Sequence, residues 1–178
     1  EKNYKKSAEY FTLITKSEEF SSFEKLIAQS ILNYIQIFET GEYNYDVALK
    51  LIPKSYKNFA IINDAFANCF LNNKQVEKSF LKIVDPDSLN FSRYNFFYAN
   101  FLLSKNHKNQ AIEILSKTND LFDTNLLLNQ TEEWLRTGKE GRVTKIFNCR
   151  NPSHLISELF YLVANLYSNE KNLILSNF

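Results

Sequence analysis

The stretch from Phe96 to Leu115, FFYANFLLSKNHKNQAIEIL, decides the fold class. Phe97, Tyr98, Phe101 and Leu102 recur at helical spacing, the polar cluster Ser104 to Asn109 interrupts them, and Ile112, Ile114 and Leu115 resume the pattern. This is the order of two helices joined by a short turn. Ala99 and Ala111 stand twelve residues apart, one on each side of that turn. Antiparallel helices approach closely only where facing side chains are small, so the two alanines mark the predicted crossing. A bulky residue at either would overpack it by about 1–3 kcal/mol.

The same arrangement repeats on both sides. Upstream, Ser21 and Glu24 match a capping box, and Phe23, Leu26, Ile27, Ile31, Tyr34, Ile35 and Phe38 continue as a long amphipathic helix that ends at Gly41. Tyr45 to Lys54 reads as its short partner, with Ala48 at the crossing and Pro53 at the end. Asn58 to Leu71 carries Ala67, and Val76 to Val84 follows with Ser79 twelve residues later, stopped by Pro86. Downstream come Leu121 to Arg136 with Trp134, then Gly138 and Glu140 to Asn148. Pro152 opens a helix bearing Phe160, Val163, Ala164 and Tyr167, and Asn172 to Phe178 begins a partner with Ser176. Tyr4 to Lys16 reads as the second helix of a pair whose first helix is cut away.

The small residues of the second helices are Ser7, Ala48, Ser79, Ala111, Val143 and Ser176, at steps of 41, 31, 32, 32 and 33. A helix pair recurring at this period is the mark of a solenoid, in which each pair buries its apolar faces against its neighbours. The expected fold is therefore all-α: one domain over residues 1–178, an α-solenoid of about five antiparallel pairs, truncated at both ends.

Composition narrows the function. Three Gly and three Pro suit helices with short polar connections better than a turn-rich β protein. With 21 basic and 20 acidic residues the net charge of +1 gathers neither nucleic acid nor anionic lipid, so no nucleic-acid and no membrane partner is expected. No apolar run approaches the roughly 20 residues that cross a bilayer. Cys69 and Cys149 imply no disulfide framework in a chain long enough to bury a core, and Cys69 reads as a small core residue. Two such thiols do not separate cytoplasm from periplasm. The start at Glu1 and the absence of Met suggest an excised piece, which leaves a removed signal peptide open.

At this point the chain resembles the tetratricopeptide repeat family, whose unit is a helix pair of about 34 residues. Phe160, Val163, Ala164 and Tyr167 fall where that family has its aromatic, leucine, small and aromatic positions, with Ser176 at its second small position. Asn3 to Ser7 with Phe11, and Tyr45 to Ala48, are similar to the opening of the family's second helix. The repeats are degenerate, like those of divergent tetratricopeptide proteins of alphaproteobacteria. Tyr34 and Gln130 depart from the pattern, and the turn Gly41 to Asn44 is lengthened. The resemblance implies a right-handed superhelix and protein binding on the concave face of the first helices.

Nothing in the sequence assembles a catalytic constellation. His107 sits in a predicted turn and His154 near a helix start, neither with a nucleophile or carboxylate at useful spacing, and no cluster offers the three or four ligands a metal needs. Glu132 and Glu133 are adjacent on a helix, point about 100° apart and read as solvated surface. Gly41, Gly138 and Gly141 sit between helices, with no strand before them to make a phosphate loop. The expectation is a non-enzymatic protein without cofactor or metal.

Asn68, Asn100 and Asn165 each follow the small residue of a first helix. By resemblance they would line the groove, where an amide can hold any extended peptide because it both donates and accepts. The alternative is that Asn is abundant here and merely solvated. Each hydrogen bond nets about 0.5–1.5 kcal/mol, whereas micromolar binding needs about 8, so apolar contacts must supply the rest. One turn earlier stand Asp64, Phe96 and Tyr161. None is basic, so no carboxylate clamp is expected there. Most of the 16 Phe and 10 Tyr fall between helices, as core. The favoured function is a scaffold for a protein or peptide. The alternatives are a spacer that self-associates through exposed solenoid ends, and the non-catalytic repeat arm of a larger enzyme.

Overall fold

The computed structural model describes residues 3–43, 56–85, 91–121 and 125–169, and these residues are helical with no strand among them. In chain order the helices are α1 (Tyr4–Lys16), α2 (Ser22–Thr40), α3 (Lys57–Leu71), α4 (Val76–Val84), α5 (Tyr94–Ser104), α6 (Lys108–Leu121), α7 (Leu126–Arg136), α8 (Glu140–Ile146) and α9 (Pro152–Asn169). The all-α expectation holds. The predicted helix Tyr45 to Lys54 with Ala48, the stop at Pro86, and Asn172 to Phe178 with Ser176 lie outside the described residues. The chain divides into two compact units: unit 1 is Glu1–Ala67 with Pro152–Phe178, and unit 2 is Asn68–Asn151.

Unit 1 takes its helices from both ends of the chain. Helix α2 starts on the predicted capping box: the Ser21 backbone N–H and hydroxyl donate to Glu24 Oε2 at 2.8 and 2.7 Å, and the Glu24 N–H donates to Ser21 Oγ at 3.2 Å. It ends at Gly41, whose φ of +71° is a left-handed conformation that glycine adopts without strain. Helices α1 and α9 both pack on α2. Phe23 stacks on Tyr56 at 5.4 Å and meets the edge of Tyr167 at 4.8 Å. Helix α9 thus meets a helix far from it in the chain. Buried Tyr34 donates its hydroxyl to Asn63 Oδ1 at 3.0 Å. Burial pushes that hydroxyl well above its ordinary range, and negative charge from Tyr43, Glu158 and Asp64 adds to the effect.

Unit 2 repeats one local device three times. After α3, α5 and α7 the chain passes through a left-handed residue, Asn72 (φ 54°), Asn106 (φ 63°) and Gly138 (φ 74°). The next N–H then reaches back five residues: Asn73 to Asn68 O at 3.3 Å, His107 to Leu102 O at 2.9 Å, and Lys139 to Trp134 O at 2.7 Å. These are Schellman-type closures at the sites where Asn and Gly tolerate positive φ. The small residues Ser79, Ala99, Ala111 and Val143 are all buried, as the spacing predicts. Thr131 joins them at 0 % exposure, twelve residues before Val143. Its hydroxyl donates to Leu127 O within its own helix, which removes the cost of burying it.

Helix α5 is the centre of unit 2. Every residue from Tyr94 to Leu102 is buried, and the helix packs against α4, α6, α7 and α8. A helix apolar on all sides has to be covered on all sides. Phe80 stacks on Tyr98 at 5.6 Å, and Phe147 presents its edge to Phe97 at 4.6 Å.

The two cysteines correct the sequence reading. Cys69 at the end of α3 and Cys149 after α8 form a disulfide across a sequence separation of 80. Two isolated thiols gave no hint of this, because pairing depends on where α8 returns the chain.

Candidate functional site

Two successive turns of unit 2 frame a hollow of about 390 Å³. Its floor is Val76, Phe101 and Leu102, all buried, and its rim is Asn72, Asn73, Lys74, Glu77, Lys105 and His107. Both walls exist because the left-handed residues Asn72 and Asn106 end their helices at matching places in the repeat. Each turn therefore delivers the polar residues just after a helix and the apolar residues that close it.

The rim is held by internal bonds. Asn68 Nδ2 donates to Ser79 Oγ at 2.9 Å, its Oδ1 accepts from Asn73 Nδ2, and Asn73 Oδ1 accepts the Gln75 backbone N–H at 2.8 Å. The first turn is thereby fixed from inside. Across the hollow, Lys105 Nζ donates to Asn72 Oδ1 and lies 5.7 Å from the centre of the Phe101 ring. Glu77 accepts from the Tyr98 hydroxyl at 3.2 Å. Burial raises that hydroxyl's pKa above the usual tyrosine range, and the Glu77 charge raises it further, so Tyr98 remains a donor at neutral pH. The rim therefore carries two ammonium groups, one of them bonded to Asn72, the Glu77 carboxylate bonded to Tyr98, and an imidazole, so that positive charge exceeds negative around an apolar floor. Such a surface suits a ligand that carries negative charge beside an apolar group.

The six residues singled out by the sequence fall differently. Asn68, Asn100 and Phe96 belong to unit 2 and are buried, and Asp64 in unit 1 is buried at 3 % exposure. Asn100 directs its amide at Val143 O (3.2 Å) and Phe147 O (2.9 Å), the carbonyls that end α8. Asn68 serves the hollow from beneath, through Asn73. In unit 1, Tyr161 and Asn165 are exposed on α9, and Asn165 donates to the Tyr161 carbonyl at 2.7 Å. Lys74, Glu77 and Lys105 escaped sequence reasoning, because in the chain they look like the scattered charges of any helical surface.

Other polar groups are spent on structure. Glu132, expected as open surface, accepts from Ser116 Oγ at 2.6 Å and pairs with Arg136 at 2.7 Å. Lys108 pairs with Glu140, which joins the starts of α6 and α8, and that hydrogen bond holds the Glu140 carboxyl below its usual range. Among the described residues no group of three or more His, Cys, Asp or Glu is placed to hold a metal ion. Among the same residues no helix is long and apolar enough to cross a membrane. No family model, curated protein or solved structure matches the chain.

Proposed function

We propose that the chain is a non-enzymatic, tetratricopeptide-like scaffold, and that it binds a protein or peptide partner by receiving an acidic segment in the hollow of unit 2. The observation that supports this is the pairing of a buried apolar floor with Lys74 and Lys105 on the rim, built from two turns of one repeated design. A repeat array presents successive turns along one edge, so a partner that follows the edge meets equivalent polar sites in order. The groove role of Asn68 and Asn100 passes to this rim, since both amides are committed inside the unit.

The test is calorimetric titration with a short peptide that places aspartates beside a leucine, against a matched peptide with asparagines. The acidic peptide should bind, and raising the salt should weaken it because rim charges are screened. Replacing Lys74→Glu together with Lys105→Glu should weaken binding by about tenfold or more, equivalent to roughly 1.4 kcal/mol, with no loss of helicity. Equal affinity for the two peptides, or affinity unmoved by the charge reversal, overturns the proposal.

A further inference from the structure

The Cys69–Cys149 bond is placed at the two ends of unit 2. The unit runs from Asn68 to Asn151, so one sulfur lies one residue inside its first boundary and the other two residues inside its last. All three left-handed turns, the hollow and the central helix α5 lie on the chain between them. Each cysteine adjoins a group with a specific task. Asn68, next to Cys69, fixes the wall of the hollow through Asn73, and Phe147, two residues before Cys149, accepts from Asn100 and packs on Phe97. Both cysteines are buried, at 2 % and 8 % exposure, which shields the bond from exchange with thiols in solution.

We propose that this disulfide is a permanent clamp that closes unit 2 into a covalent ring, and that the protein accordingly works in an oxidising compartment. Linking residues 80 apart removes a large share of the unfolded chain's freedom, and the effect grows with the length of the closed loop. Forming the bond takes two electrons and two protons from the two thiols. A disulfide-exchange catalyst accepts them and leaves as its own dithiol. Such bonds persist where that oxidation is maintained and are rare where thiols are kept reduced. The inference is independent of the ligand proposed for the hollow.

Three measurements on the chain test it. Peptide mapping after alkylation without reduction should recover Cys69 and Cys149 as one linked pair, and finding both alkylated overturns the proposal. Reducing the wild type with a phosphine under mild denaturant and returning it to buffer, with complete reduction verified by alkylation, should lower the melting temperature by about 10 °C or more. Amide exchange in α5 and α8 should accelerate by at least about tenfold, while α2 in unit 1 keeps its protection. A linked pair whose reduction moves neither the melting temperature nor the exchange overturns the clamp. The variant Cys69→Ala with Cys149→Ala should reproduce the reduced state, and if it does not fold, the reductant series on the wild type decides alone.

Discussion

Helices α5 and α9 carry the same short phrase, an alanine followed by an asparagine, and put it to different uses. In α5 the pair Ala99-Asn100 lies at the middle of unit 2, with aromatic rings around it and the end of α8 across it. Asn100 there bridges to another helix. In α9 the pair Ala164-Asn165 lies on a helix with an open side, where Phe160 and Tyr161 are 51 % and 43 % exposed. Asn165 only turns back to a carbonyl of its own helix. An asparagine at a given step of a repeat is thus not assigned by its position. What covers it decides whether its amide meets carbonyls or water.

The sharpest way to break this comparison is to remove an aromatic ring from each helix. Phe97→Ala takes away a buried ring that packs on Phe147, and should cost about 3–5 kcal/mol in urea unfolding. Phe160→Ala should change stability by less than about 0.5 kcal/mol, as exposed substitutions do. Similar losses for the two would mean that α9 is covered as fully as α5. The asparagines give a smaller contrast of the same kind. Asn100→Ala leaves two buried carbonyls at the end of α8 without their donor and should cost about 1–3 kcal/mol, whereas Asn165→Ala should be nearly silent.

The smallest effect concerns the start of α2 in unit 1. Ser21→Ala should destabilise by about 1 kcal/mol through loss of the cap. The Glu24 carboxyl is held below its ordinary value, chiefly by the Ser21 hydroxyl and then by the Ser21 backbone N–H. A depressed carboxyl stabilises the fold above its unfolded pKa and loses that contribution as the pH falls through the folded one. The difference between wild type and Ser21→Ala should therefore be fully present at neutral pH and shrink below about pH 4, in parallel melts across that range. A difference constant with pH would separate the cap from the carboxylate.

Local signals in the chain were legible because local rules enforce them. Ser21 with Glu24 and Gly41 fixed the ends of α2, Pro152 the start of α9, and the twelve-residue spacing of Ala99 and Ala111 the hairpin at the centre of unit 2. The turns were foreseen as turns. That Asn72 and Asn106 do the same work as Gly138 became visible only in their backbone angles. The rim of the hollow was not legible at all, since lysines gain meaning there only from the floor beneath them.

The sequence by itself determined that this protein is helical and where most of its helices begin and end. Those features depend on residues a few positions apart, whose geometry the backbone dictates. The tertiary structure alone decided that Cys69 meets Cys149, that α9 returns to α2, that Asn100 is interior and Asn165 is not, and that Lys74 and Lys105 share a rim. Each of these joins groups that the chain itself keeps far apart or leaves undistinguished. Only the packing of buried surface, together with the pairing of most buried polar groups, selects among the arrangements that local rules allow.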